Sequence, residues 1–212
     1  MKKIILLIGV LIAAVYLISC EKESANVSRI TYYASLVVKG QQYMVISKGS
    51  AYADPGVTSL MQGVEVPYVT VGTVDNTVPG VYRLDYSVTN SDGFKSSTFR
   101  LVGVIDTTAA VNDYSGTYQR TNGVVVHWTK VFKGLYVVDN VGGVDPVGSP
   151  AWSFPVRIFN IKDSTIEVPA QPNPLGGDLY CDNARYYPSI IKYSWIVMGA
   201  GFGTSTRTFN KL

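Results

Sequence analysis

A two-residue alternation of apolar and polar side chains constrains this chain more than any other feature. It is clearest between residues 82 and 88, where apolar and polar positions alternate and a turn sequence lies at each end. Such alternation places one face of a strand in a core and the other in water. After residue 28 no window of eleven or more residues keeps a helical period, and the chain contains 20 Gly and 15 Tyr. The sequence therefore predicts an all-β protein.

The first twenty residues follow a different pattern. Lys2 and Lys3 precede an apolar run of fifteen residues, from Ile4 to Ile18. A membrane-spanning helix needs about 20 apolar residues, so this run is short for that role. A basic start followed by a short apolar run is typical of an export signal. We therefore expect residues 1–19 to be a signal peptide.

The end of this segment, Leu17-Ile18-Ser19-Cys20, resembles the lipobox of bacterial lipoproteins. The resemblance implies cleavage before Cys20, a lipid on its sulfur, and attachment to a membrane by more than one acyl chain. The alternative is an ordinary signal peptide, or an N-terminal anchor, with a chance cysteine. Glu21 and Glu23 resemble the tethers that send lipoproteins of Bacteroidetes to the outside of the outer membrane. Residues 20–28 are small and polar, as in a flexible spacer.

The charge of the chain argues against one class of partner. The sequence has 18 Lys and Arg against 15 Asp and Glu, with no run of five or six like charges. Loss of residues 1–19 would remove two lysines and leave 16 against 15. No nucleic-acid partner and no polybasic membrane patch are therefore expected. The membrane partner that the sequence predicts is reached through the N-terminal lipid.

Residues 29–106 contain about seven short apolar runs separated by turn residues, as expected of an immunoglobulin-like (Ig-like) β-sandwich without a disulfide. Their motifs are Tyr52-Ala53-Asp54-Pro55-Gly56, Gly72-Thr73-Val74-Asp75 and Pro79-Gly80-Val81-Tyr82. The order and spacing of these motifs resemble those of the bacterial Ig-like repeats. Such repeats are widespread in bacterial surface proteins, so the resemblance implies an Ig-like domain exposed outside the cell.

Three residues of these motifs also have a direct physical interpretation. Tyr82 follows a Pro-Gly turn and could hydrogen-bond back to the main chain, as a tyrosine corner does. Asp54 and Asp75 could be metal ligands or an acid–base pair. However, Asp before Pro or near Gly more often accepts hydrogen bonds from local backbone N–H groups. We therefore expect both carboxylates to cap turns.

Residues 107–112 break the strand pattern and are predicted to link the Ig-like domain to a second domain, residues 113–212. Strand-like runs joined by tight turns such as Asn122-Gly123, a favoured type I′ pair, predict an antiparallel meander. The meander would form a small sandwich or an incomplete barrel. The sequence from Asp113 to Arg120 resembles the start of the domain that follows such Ig-like domains in lipoproteins of gut Bacteroidetes. That resemblance implies architecture and location but no chemistry.

Two short motifs in this part of the chain resemble sites of sugar attachment. Asp106-Thr107-Thr108 and Asp163-Ser164-Thr165 resemble the O-glycosylation sites of exported Bacteroidetes proteins. Three-residue patterns of this kind also arise by chance, so both interpretations stay open.

Each common catalytic or metal-binding constellation lacks a member in this sequence. His127, the only histidine, lies in a predicted strand, and no Gly-x-Ser-x-Gly elbow is present. One histidine and one unlipidated cysteine, Cys181, cannot supply a zinc site, and we expect Cys181 to be buried. Glu167 is the only glutamate of the second domain. The protein is therefore predicted to be non-enzymatic, with no cofactor and no metal.

Aromatic side chains are the remaining candidates for function, because their flat faces stack on the CH faces of sugars. Trp128 and Trp195 lie at predicted strand positions and are expected to fill the core. Residues 139–152 and 169–188 are predicted to be long loops rich in Gly, Pro and Asp, and long loops are often functional. The predicted ligand-binding residues are Trp152, Tyr180, Tyr186 and Tyr187.

Two functions from different classes follow from these features. The first is a lipid-anchored protein on the outer membrane, facing the cell exterior, in which an Ig-like spacer presents a glycan-binding β domain. The second is a structural or partner-binding accessory subunit of a surface complex, which would expose apolar strand edges instead of an aromatic cleft.

Overall fold

The computed structural model describes residues 30–212, and the predicted signal peptide, Cys20 and the predicted tether lie outside these residues. The described chain is nearly all β, as predicted. Residues 33–212 form one compact unit. Within residues 30–212, no helix is long and apolar enough to cross a membrane.

The first seven strands form two sheets, which we call the sandwich. A three-stranded sheet has the order β1-β3-β4 and a four-stranded sheet has the order β2-β7-β6-β5. The strands are β1 (Ser35–Val38), β2 (Tyr43–Ser47), β3 (Val57–Met61), β4 (Val64–Glu65), β5 (Val69–Val71), β6 (Gly80–Thr89) and β7 (Lys95–Ile105).

Strands β6 and β7 are the longest strands of the sandwich and pair antiparallel along their length, so they are its main structural element. The alternation in β6 buries Leu84, Tyr86 and Val88, as the sequence predicts. Strand β2 joins the other side of β7 in parallel, from Tyr43 opposite Leu101 onward.

The predicted turn contacts are confirmed. The Tyr82 hydroxyl donates to the Val78 carbonyl at 2.9 Å, which is the tyrosine-corner contact. Asp54 accepts from the Gly56 N–H at 3.1 Å, and Asp75 accepts from the Thr77 N–H at 2.9 Å.

The predicted linker contains a short helix, α1 (Thr107–Val111), with Ala109 buried. The segment is tied to the chain that follows, because the Asp106 N–H donates to the Ile161 carbonyl at 2.8 Å. The Thr108 hydroxyl, at 2.9 Å, accepts from the Asp163 N–H, so the two predicted glycosylation motifs lie side by side.

The remaining eight strands close into a barrel with the order β10-β11-β12-β13-β14-β15-β8-β9. All neighbours are antiparallel, and β15 pairs with β8 to close the barrel. The predicted alternatives of a small sandwich or an incomplete barrel are therefore replaced by a complete barrel. The strands are β8 (Gly116–Arg120), β9 (Val125–Phe132), β10 (Leu135–Val138), β11 (Val156–Lys162), β12 (Thr165–Pro172), β13 (Asp178–Tyr187), β14 (Lys192–Met198) and β15 (Thr206–Lys211).

Two local predictions in the barrel are wrong. Residues 169–188 are not a long loop, because they contain the end of β12 and all of β13. The β8–β9 hairpin does not use a two-residue type I′ turn, since Gly123 has positive φ but Asn122 does not. In its place a three-residue loop is closed by the Arg120 N–H donating to the Val124 carbonyl at 2.8 Å.

The interior of the barrel is filled by aromatic rings. Trp128 and Trp195 are 2% and 0% exposed, which confirms their predicted core positions. The two indoles stack with centroids 5.9 Å apart, and Tyr193 stacks on Phe209 at 4.5 Å. Most of the second region's aromatic excess therefore builds a packed core, as expected of an eight-stranded barrel.

Sandwich and barrel meet through an apolar cluster, which we call the junction. Phe99 and Leu101 of β7 pack with Leu135, Phe159 and Ile161 of the barrel. Strands β7 and β11 approach each other closely at Gly103, where an added Cβ would lie 2.4 Å from the Phe159 ring. Only a glycine at this position lets the two strands approach so closely.

Polar contacts complete the junction. One nitrogen of Arg83 donates to the Ala170 carbonyl at 3.0 Å and pairs with Asp178 at 3.1 Å. Glu167 accepts a hydrogen bond from the Val81 backbone, while its burial raises the pKa of the carboxyl. Glu167, the only glutamate of the predicted second domain, therefore helps to join the sandwich to the barrel.

Candidate functional site

The four predicted ligand-binding aromatics do not form one site. Tyr186 lies on β13 and not in a loop, with 4% of its surface exposed, and its ring stacks on Tyr114 at 3.8 Å. Tyr187, the next residue, is half-buried on the outer face. Tyr180 lies near the other end of β13 and is 39% exposed. The structure thus separates the four candidates by face and by end of the barrel.

Trp152 packs against a neighbouring loop. It ends a 3-10 helix, Pro150–Trp152, and is half-buried. Its ring meets Phe202 edge-on at 5.1 Å and lies 3.0 Å from the position that a Cβ of Gly201 would occupy. These contacts tie the loop before β11 to the loop before β15. Of the other candidates, Tyr186 and Tyr187 both line a surface depression, and Tyr187 is the one of these two that lies on the outer face.

Two adjoining depressions on the outer wall of the barrel, of about 400 and 410 Å³, share residues of β13. We call them together the barrel groove. Ala184, Arg185 and Tyr187 line both parts. The other lining residues are Ser164, Thr165, Asn183, Tyr186, Pro188, Ser189, Ser194 and Thr206.

A β-bulge in β13 forms the groove. Asp182 pairs with Ile196 and Arg185 with Ser194, so β13 carries one residue more than β14 between these pairs. Asn183 takes up the extra residue with a positive φ of 52°, a conformation that Asn tolerates better than most residues. A bulge bends the strand and redirects the side chains around it.

The bulge also decides which tyrosines face outward. Before it, Leu179 and Cys181 point into the barrel and Tyr180 points out; after it, Tyr186 points in and Tyr187 out. Without the extra residue, Tyr180 and Tyr186 would share a face because side chains alternate along a strand. The bulge therefore places the Tyr187 ring next to Arg185 on the outer surface.

The barrel groove is cationic and rich in hydroxyls. The Lys192 ammonium lies 5.2 Å from the Tyr187 ring centroid, within cation–π range. None of the described lining residues is acidic, and Arg185 has no ion pair within residues 30–212. An aromatic ring beside a guanidinium, an amide and several hydroxyls can stack on a sugar ring and hydrogen-bond to its substituents.

Reactive residues elsewhere in residues 30–212 lie in structural settings. His127 is on the outer surface of β9, where its ring Nδ1 lies 2.8 Å from the Asp139 carboxylate. Cys181 is buried as predicted, and burial raises the pKa of its thiol. No group of three or more His, Cys, Asp or Glu in this part of the chain could hold a metal ion.

The sandwich contains a buried charged residue that the sequence did not single out, Arg100. Its side chain is 0% exposed, and its Nε lies 3.3 Å from the Asp54 carboxylate. Its other nitrogens donate to the carbonyls of Lys39 at 2.7 Å, Gly56 at 3.2 Å and Gln41. The Tyr86 hydroxyl donates to the same carboxylate at 2.8 Å. Asp54 is therefore a turn cap and also the counter-ion of a core arginine.

Comparison with known proteins bears on the sandwich. Residues 36–104 match the family described as bacterial surface protein, Ig-like domain. The chain thus carries an Ig-like domain of the kind found in bacterial surface proteins.

One solved structure similar to this chain is that of the lipoprotein BT2262 from Bacteroides thetaiotaomicron. The two sequences are 24% identical, and the alignment covers 85% of this chain and 100% of the other with a TM-score of 0.39. No curated protein matches the chain.

Proposed function

We propose that this protein is a lipid-anchored, non-enzymatic protein of the outer bacterial surface that binds a glycan in the barrel groove. The surface Ig-like family match and the lipobox-like sequence at Cys20 support the location. In this proposal, the anchor lies at the N-terminus and the sandwich separates it from the barrel.

The single observation that carries glycan binding is the setting of Tyr187. Its half-buried ring lies on the outer wall, with hydroxyls on both sides and beside Arg185, which has no ion pair within residues 30–212. Aromatic stacking orients a sugar ring, while Arg185 and Asn183 supply the directional hydrogen bonds that select one sugar over another. The groove is partly open to solvent, which suits a chain of sugars that continues beyond it.

Glycan-array binding of the full chain in detergent tests this proposal. Tyr187→Ala should weaken binding to the best glycan about tenfold, because a stacking contact contributes roughly 1.4 kcal/mol. Tyr180→Ala is the matched control, since it removes an exposed tyrosine from the same strand outside the groove. Its affinity should stay within about twofold of the unmodified protein. An array without any bound glycan, or a loss confined to Tyr180→Ala, would refute the assignment.

A partner-binding accessory role is the second candidate, and it has its own observation. Strand β5 is at the edge of its sheet, and Val69 and Val71 on it are each 61% exposed. An open edge with apolar side chains can accept a strand from another protein. Under this function, Val71→Lys should abolish capture of one fixed surface partner by the full chain, and Tyr187→Ala should not.

A further inference from the structure

A second groove lies where the sandwich meets the barrel, away from the barrel groove. It has a volume of about 280 Å³ and is lined by residues from both regions. We call it the junction groove. The sandwich supplies Gln41, Gln42 and Tyr43, and the barrel supplies Val131, Phe132, Leu135 and Arg157.

The sandwich wall of the junction groove is held by its main chain. Arg100 donates to the Gln41 carbonyl, and the Leu101 N–H donates to the Gln42 carbonyl at 2.9 Å. The side-chain amides of Gln41 and Gln42 make no hydrogen bond within residues 30–212. The wall therefore presents two unengaged amides on a fixed backbone.

Arg157 supplies an unmatched positive charge. Arg157 is half-buried as a residue, and its guanidinium lies 5.3 Å from the Tyr43 ring centroid and pairs with no carboxylate of the described chain. The nearby Arg83 differs, because it is already paired with both Asp85 and Asp178. A partly desolvated cation without a counter-ion favours an anionic ligand group, and a guanidinium can bind a carboxylate through two parallel hydrogen bonds.

The barrel wall of the groove is apolar and open. Phe132 and Val131 lie at the end of β9 and are 58% and 52% exposed. Two large apolar side chains left open beside free amides and a cation form the mixed lining typical of a small-ligand site. The exposed Phe132 ring also offers a face on which a sugar ring can stack.

We propose that the junction groove binds a carboxylate-bearing sugar, a hexuronate residue. Its carboxylate pairs with the Arg157 guanidinium, its hydroxyls hydrogen-bond to the amides of Gln41 and Gln42, and its CH face packs on Phe132. The groove volume suits a single ring, so one residue of a longer acidic chain occupies it. Because the site lies between two regions, it is complete only when sandwich and barrel are joined.

Calorimetric titration of the full chain in detergent tests this assignment. The probes are the trisaccharides of galacturonic acid and of glucuronic acid, each compared with its fully methyl-esterified form. We expect at least one free acid to bind, and its ester to bind at least tenfold more weakly because it lacks the charge that pairs with Arg157. This comparison uses the unmodified protein, so folding of a variant does not enter it.

Variants locate the site. Arg157→Met should lower affinity for the acid at least tenfold, Arg157→Lys less, and Phe132→Ser severalfold. Lys162→Met, which removes an exposed cation from the same strand outside both grooves, is the matched control and should change the affinity less than twofold. The proposal is overturned if neither acid binds, if acid and ester bind equally, or if Arg157→Met binds the acid as tightly as Lys162→Met does. None of these results decides the proposal for the barrel groove, which Tyr187→Ala tests with the array glycan.

Discussion

The two β regions of this protein are stabilised by different cores. At the centre of the sandwich, Arg100 is surrounded by three carbonyls and a carboxylate, beside a small apolar cluster that includes Val57 and Leu84. The barrel core contains stacked tryptophan, tyrosine and phenylalanine rings, and its charged side chains, buried Arg207 and half-buried Arg120, donate to carbonyls at one end. The sandwich thus has a buried polar centre, whereas the barrel has an aromatic one.

Strand pairing explains the difference. Every strand of a closed barrel pairs on both sides, so the backbone is satisfied in the wall and the interior can be apolar. The two sheets of the sandwich have edges, and the chain crosses between them at residues 39–42. The carbonyls of Lys39 and Gln41 at this crossing are left without strand partners, and the Arg100 guanidinium supplies their donors.

The largest expected loss comes from breaking the barrel core. Trp195→Ala removes a fully buried indole and its hydrogen bond to the Val141 carbonyl at 3.0 Å. Removing a buried Trp leaves a cavity and should lower the free energy of unfolding by about 4 kcal/mol. Denaturant unfolding of the full chain followed by far-ultraviolet circular dichroism measures it. A loss near that of an exposed residue would show that the barrel core is not closely packed.

Breaking the sandwich core comes next. Arg100→Met should lower the free energy of unfolding by about 3 kcal/mol, because it leaves the carbonyls of Lys39 and Gln41 without their side-chain donor and the Asp54 carboxylate without its counter-ion. Asp54→Asn keeps the cation and most hydrogen bonds at a site with a 25% exposed side chain, so it should cost about 1 kcal/mol. The same denaturant experiment applies. Equal losses for the two variants would mean that the ion pair, and not the donors to the carbonyls, dominates.

The junction tests whether the two cores act together. Gly103→Ala would place a Cβ 2.4 Å from the Phe159 ring, and we expect overpacking to cost about 2 kcal/mol. Gly80→Ala is the control on the neighbouring strand, because its nearest contact would be an ordinary 3.8 Å. If thermal unfolding were the same for both variants, sandwich and barrel would not be packed closely at this point.

The smallest expected effect distinguishes two tyrosines that make the same hydrogen bond to the main chain. Tyr118 repeats the contact of Tyr82, since its hydroxyl donates to the Tyr114 carbonyl four residues earlier at 2.6 Å. Tyr118 is 0% exposed and also contacts the Tyr186 hydroxyl at 3.2 Å. Tyr118→Phe should therefore cost about 1.5 kcal/mol and Tyr82→Phe about 0.5 kcal/mol. Thermal denaturation of both variants would contradict this ranking if the order were reversed.

Local patterns in the sequence predicted the features that depend on local chemistry. Alternation in β6 gave its buried face, and the Pro-Gly turns gave the roles of Asp54 and Tyr82. Barrel closure could not be predicted in this way, because it pairs β8 with β15 some ninety residues later. The role of Arg100 also depends on groups far away in the sequence, among them Asp54.

The candidate site shows the same limit. Gly, Pro and Asp residues near β13 suggested a loop, so Tyr186 and Tyr187 were predicted as a pair of ligand-binding residues. They lie on a strand, where alternation places adjacent side chains on opposite faces. Even with β13 assigned, the bulge at Asn183 reverses the faces in mid-strand, and nothing in the local sequence other than Asn specifies it. The residues that line the barrel groove with Tyr187 come from four strands, β12 to β15, which only the barrel brings together.

The parallel pairing of β2 with β7 has a mechanical consequence. A pull between the segment before β1 and the barrel draws β2 towards its start and β7 towards its end, in opposite directions along paired strands. Five register pairs, from Tyr43–Leu101 to Ser47–Ile105, would then carry the load together in shear instead of opening one after another. The sandwich would resist such a pull at these paired strands, and single-molecule stretching with Ile46→Pro, which removes one N–H donor to β7, should show a lower rupture force.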